Sequence, residues 1–170
     1  MCPAIPISAI YGASTDKWNA SAYAALSVAS SVSASVKAQA SIFSLSRDVW
    51  KLNGMLRNFL EEIYRRAAEN VPAPTEPVTK EQKEQMMEAA RTLQHIHRTI
   101  EQLYTRAKAA GLTNRRFIGA ALNSVKVRAE ELLEFGDALE MSLNEDVDAF
   151  LEHSLEDLRS GNVYDLPAFK

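Results

Sequence analysis

Apolar residues recur along most of this chain at alternating spacings of three and four, and the clearest run is Ile42, Leu45, Val49, Leu52, Leu56, Phe59 and Ile63. One apolar position every 3.5 residues keeps a stripe on a single helix face, whereas a strand would divide the same set between two faces. The seam predicts a long amphipathic helix. A second seam, Met86, Ala90, Leu93, Ile96, Ile100, Leu103, Ala107 and Ala110, predicts a helix over about 80–110. Thr79 with Gln82 opens it as a capping box, and Gly111 closes it as a left-handed cap. A third runs through Ile118, Leu122, Val125, Ala129, Leu132, Gly136, Leu139 and Leu143, predicting a helix over about 114–142 with Thr113 or Asn114 as its N-cap. Val147, Leu151, Leu155 and Leu158, followed by Gly161, predict a shorter acidic helix over about 145–160.

The segment before Ile42 is chemically different. Seventeen of the 27 residues from Ala20 to Ser46 are alanine or serine, and serine is only a middling helix former, so this stretch needs a neighbouring helix to stay ordered. Continued backwards, the heptad frame places Val28, Ser31, Ser35 and Ala38 on its seam. Two arrangements follow: a straight extension giving one helix over about 17–69, or a fourth helix folded back near Ser41–Ser46. With no proline or glycine between Gly12 and Gly54, the pattern favours the straight extension, with Asp16 as N-cap and Ser14 and Thr15 as competitors. The valines Val28, Val32 and Val36 would then form an exposed seam calling for a partner, most simply a second copy of the chain.

The remaining segments punctuate the helices. Residues 1–16 read as an irregular arm. Residues 70–78 hold Pro72, Pro74 and Pro77, a linker that cannot be helical throughout. Leu112 and Thr113 leave room only for a tight turn, so the helices on either side must run antiparallel. The expected fold is all-α: an antiparallel bundle of three long helices of matched length in one domain over 17–160, with a C-terminal tail at 161–170.

Charge narrows the function classes. The net charge is −3 and the pI about 5.7, which argues against a general affinity for nucleic acid and leaves only a local basic patch to provide one. Acid gathers at the C-terminal end, where residues 143–170 carry seven Asp and Glu against two basic residues. Cys2 has no partner for an internal disulfide and the first residues lack the pattern of an export signal, so the expected location is the cytoplasm. Residues 18–36 contain no charge, but six serines and a single leucine argue against membrane insertion.

No arrangement of residues carries recognisable catalytic or metal chemistry, and none implies a cofactor. His95 and His97 sit about 200° apart on a helix and cannot chelate one ion. Glu130, Glu131, Glu134, Asp137 and Glu140 form the polar side of an amphipathic helix. Arg65 and Arg66, with Arg115 and Arg116, lie near helix ends that a bundle could bring together to hold an anion or acidic partner. Met86 and Met87 with Phe117 could line an apolar pocket.

In the tail, Tyr164, Leu166 and Phe169 follow the last helix stop and must cover something. The stretch from Leu155 to Leu166 resembles the C-terminal segments of bacterial antitoxins that wrap around a toxin. The resemblance spans about a dozen residues, and residues 1–70 show no DNA-binding half of such a protein. It implies a regulatory protein that neutralises a partner through residues 161–170. The expected function is a non-enzymatic helical interaction or scaffold module, self-associating or docking a protein through Val28, Val32, Val36, Tyr164, Leu166 and Phe169. The alternatives are the antitoxin-like reading and a bundle enzyme or carrier holding a metal or small apolar ligand.

Overall fold

The computed structural model describes residues 15–69, 78–144, 155–156 and 159–160. Within them the chain forms four long α-helices and no strand: α1 (Thr15–Lys37), α2 (Ile42–Ala68), α3 (Lys80–Ala109) and α4 (Arg116–Leu143), with a single 3-10 turn at Leu112–Asn114 before α4. The all-α bundle is as the periodicity predicts, with one helix more in its core. Of the expected helix over 145–160, only four residues are described; these are helical and exposed. The arm, the linker and the tail lie outside the described residues.

The favoured straight helix over 17–69 is not formed. Residues 38–41 turn the chain back, and α1 packs as the fourth member of the bundle. Gln39 adopts φ 55°, its amide donates to the Val36 carbonyl at 3.2 Å, and the Ala40 amide donates to the Ser35 carbonyl at 3.0 Å. This pair of bonds is a Schellman closure, built on a residue other than the usual glycine. Ser41 then caps α2 by accepting from the Ser44 amide at 3.3 Å. The break resets the heptad frame. Trp18, Ala22, Ala25, Ala29, Val32 and Val36 form the buried seam of α1, in place of the expected Val28, Ser31, Ser35 and Ala38.

Side-chain pairs fix the helix directions. The Trp18 and Phe59 rings meet edge to face at 5.8 Å, joining the start of α1 to the latter half of α2. The Tyr23 hydroxyl donates to Glu88 at 3.2 Å and Arg106 donates to the Ser33 hydroxyl at 2.7 Å, so α1 and α3 run parallel. Arg128 donates to the Asn53 side-chain oxygen at 3.0 Å and the Tyr64 hydroxyl donates to Glu131 at 3.0 Å, so α2 and α4 also run parallel. Gln94 donates to Asp137 and Glu140, and Tyr104 to Asn123 at 2.9 Å, which sets α3 against α4 antiparallel. Two antiparallel hairpins, α1–α2 and α3–α4, therefore lie side by side, with α2 and α3 on a diagonal.

The core is a continuous column of Leu, Ile, Val and Ala from all four helices. Where α1 meets α3, small residues such as Ala22, Ala25 and Ala29 on α1 and Ala89 and Ala90 on α3 are buried. Without bulky side chains between them, the two backbones can pack closely. The capping box at Thr79 and Gln82 forms as expected. Gly111 adopts φ 70° after α3. Two expected caps are displaced: α1 already begins at Thr15, which places Asp16 in its first turn, and α4 starts after Arg115 with no side-chain cap, because Thr113 and Asn114 are taken up by the 3-10 turn. No helix among the described residues is long and apolar enough to cross a membrane.

Candidate functional site

The helix directions gather four chain segments at one end of the bundle: the turn at 38–41, the first turn of α2, the Gly111–Arg115 connection and the first turn of α4. Residues 37–51 and 104–118, which build this end, carry seven Lys and Arg and one Asp. The opposite end and flank, built from residues 15–26, 56–69, 78–94 and 129–144, carry twelve Asp and Glu against seven basic residues. The bundle is therefore electrically polar along its axis, although its total charge is small.

The basic end also bears large uncovered apolar side chains. Phe43 is 83% exposed, Phe117 74%, Ile42 43% and Trp50 48%. Phe43 and Phe117 occupy the first turns of two neighbouring parallel helices, whose axes lie about 8–10 Å apart. The heptad pattern puts Ile42 on the seam of α2; next to the chain reversal it is exposed instead.

Lys37, Arg106 and Lys108 fall in the last turns of α1 and α3, where cations offset the negative end of the helix dipole. Arg115 and Arg116 have no such explanation. They stand at the N-terminus of α4, which has no acidic residue in its first turn, so their charges oppose the dipole. Neither pairs with a carboxylate among the described residues. Positive charge that works against local helix stability thus stands beside an exposed phenylalanine.

At the other end, a cleft of about 360 Å³ lies between α1 and α2, lined by Lys17, Trp18, Met55, Phe59, Glu62 and Arg66, among others. Its arginine and glutamate are already matched to each other. Arg66 lies over the Trp18 ring at 5.5 Å and pairs with Glu62 at 2.9 Å. Arg65 pairs with Glu62 at 2.7 Å and also with Glu69. Hydrogen bonds from Arg65 and Arg66 hold the Glu62 carboxyl down at about 2. Tyr64 is pushed up instead, first by desolvation and then by its hydrogen bond to the Glu131 carboxylate.

Several sequence-level expectations change here. Arg65 and Arg66 lie at the opposite end of the bundle from Arg115 and Arg116, so they form no joint site. Met86 is buried near the start of α3 while Phe117 is exposed at the far end, so they line no common pocket. Val32 and Val36 are buried in the chain's own core and Val28 packs against it, so in this fold they are core residues and offer no free seam. The acidic row on α4 supports neighbouring helices: Glu131 accepts from Tyr64, and Asp137 and Glu140 accept from Gln94. His95 is exposed and His97 half-buried; no cluster of three metal-ligating side chains occurs among the described residues. Tyr164, Leu166 and Phe169 lie outside the described residues. Set against known proteins, the chain matches no family model, no curated protein and no solved structure.

Proposed function

We propose that this chain is a non-enzymatic helical interaction module whose docking surface is the basic end of the bundle, centred on Phe43 and Phe117. The observation that carries the reading is the pair of uncovered phenylalanines on adjacent first turns, beside arginines whose position disfavours the helix that bears them. An aromatic anchor ringed by cations suits a protein partner with an acidic, partly apolar surface.

The test compares the native chain with Phe43→Asp/Phe117→Asp, using sedimentation velocity for self-association and immobilised chain for capture of other proteins. Both side chains are exposed, so the variant should keep its helicity and melting temperature while losing association by at least about tenfold. Equal association by the native and variant chains would sink the reading.

A further inference from the structure

Resting on that reading of the basic end, we infer that its occupant is the acidic C-terminal segment, residues 145–169, of a second copy of this chain. Charge complementarity is the first support. The segment carries Glu145, Asp146, Asp148, Glu152, Glu156, Asp157 and Asp165 against Arg159 alone. The surface it would meet has seven basic residues and one acidic. The segment also supplies apolar side chains for Phe43 and Phe117 to pack against, at Val147, Leu151, Leu155 and Leu158 and then at Tyr164, Leu166 and Phe169. Leu155 is 52% exposed in the single chain, so about half of its surface remains open to a partner.

The geometry of α4 favours a second copy over the same one. Its 28 residues span about 42 Å, and they release the chain at Asn144, at the acidic pole and far from Phe43. To return to its own basic end, the segment would first have to run back beside Glu130, Glu134, Asp137 and Glu140, against like charge, before it reached Lys126 and Arg128. Two copies set side by side and antiparallel avoid this. Each acidic pole then lies beside the other's basic pole, each segment emerges next to the partner's Phe43 and Phe117, and the contact is made twice around a two-fold axis, closing the assembly as a dimer.

The experiment uses full-length chain, half ¹⁵N-labelled and half unlabelled, joined by a zero-length carboxyl-to-amine cross-linker and read by mass spectrometry. Mixed heavy–light links are expected between Lys37, Lys51 or Lys108 and Glu152, Glu156 or Asp157. Sedimentation equilibrium should give about twice the 18.8 kDa chain mass at 50 mM salt. At 500 mM salt, where charges are screened within a few ångströms, it should give close to the single-chain mass. Arg115→Glu/Arg116→Glu should weaken the dimer at least tenfold at 50 mM salt with helicity retained.

Links confined to same-isotope pairs would place the segment on its own bundle and overturn the inference, while leaving the docking surface standing. A chain that is monomeric at both salt concentrations, yet binds phosphatidylserine vesicles or single-stranded RNA through Arg115 and Arg116, would replace the occupant with a lipid surface or a nucleic acid and likewise overturn it. If Phe43→Asp/Phe117→Asp also changes no association of any kind, the docking surface itself falls.

Discussion

Replacing Gln39 by glycine tests the reversal that makes this a four-helix molecule. Gln39 closes α1 with φ 55°. Holding a residue with a Cβ in that left-handed conformation costs about 1–2 kcal/mol. Glycine relieves this strain, but its freer unfolded chain returns about 0.5–1 kcal/mol of the gain. The two effects leave Gln39→Gly more stable by about 0.5–1 kcal/mol, or about 1–4 °C in melting temperature for a chain of this size. Gln39→Pro should do the opposite, because it forbids the positive φ and removes the amide that donates to Val36; the loss is on the order of 3 kcal/mol. Thermal and urea unfolding followed by circular dichroism at 222 nm measures both. If α1 and α2 were instead one continuous rod, Gln39→Gly would act as a mid-helix glycine and destabilise by about 1 kcal/mol. That sign would refute the reversal.

Other substitutions probe the packing and the charge network. A methyl group on Gly119 would run into the Thr113 carbonyl oxygen of the preceding turn, so Gly119→Ala should cost about 1–3 kcal/mol; in Gly54→Ala the added carbon meets nothing within 4 Å, and the variant should gain up to about 1 kcal/mol in urea titrations. Leu93 is completely buried, and Leu93→Ala should lower stability by about 2–5 kcal/mol in the same assay. Glu62 has its carboxyl lowered from 4.5 to about 2. Its contribution is therefore present above about pH 4.5 and fades as pH falls toward 2, so Glu62→Gln should flatten the stability profile across that window and leave its shape near neutrality unchanged. An unchanged acid limb would show that the pairs with Arg65 and Arg66 add nothing in solution.

The parts of the fold legible in the sequence are those set by local periodicity and capping chemistry. Leu45 to Ile63, Met86 to Ala107 and Ile118 to Leu139 are buried along the expected seams; the Thr79 box and the Gly111 closure depend on a few adjacent residues. The reversal at Gln39 escaped because its closure uses no glycine, and the usual punctuation was missing. Without a visible break the heptad frame runs straight through it and leaves Val28, Val32 and Val36 facing outward, whereas in the folded chain α1 packs them into its own core. Buried polar contacts escaped for a different reason. Asn53 with Arg128, and Ser33 with Arg106, meet across more than seventy residues, and nothing in either segment names its mate. The basic end was only half visible: Arg115 and Arg116 stood out as a pair, but their joining with Phe43, Lys37 and Lys108 depends on helix directions that periodicity does not set.

The parallel alignment of α1 with α3 and of α2 with α4 divides the chain into two halves at the proline-rich connection. Each half contains a complete hairpin whose helices meet through nearby sequence, and the seams between halves are formed by faces that neither hairpin can cover alone. A chain severed within residues 70–77 should therefore reassemble from two separately made pieces, each mostly unfolded until it meets the other. The same division would let two intact chains trade hairpins while each assembled bundle keeps the seams of α1 with α3 and of α2 with α4.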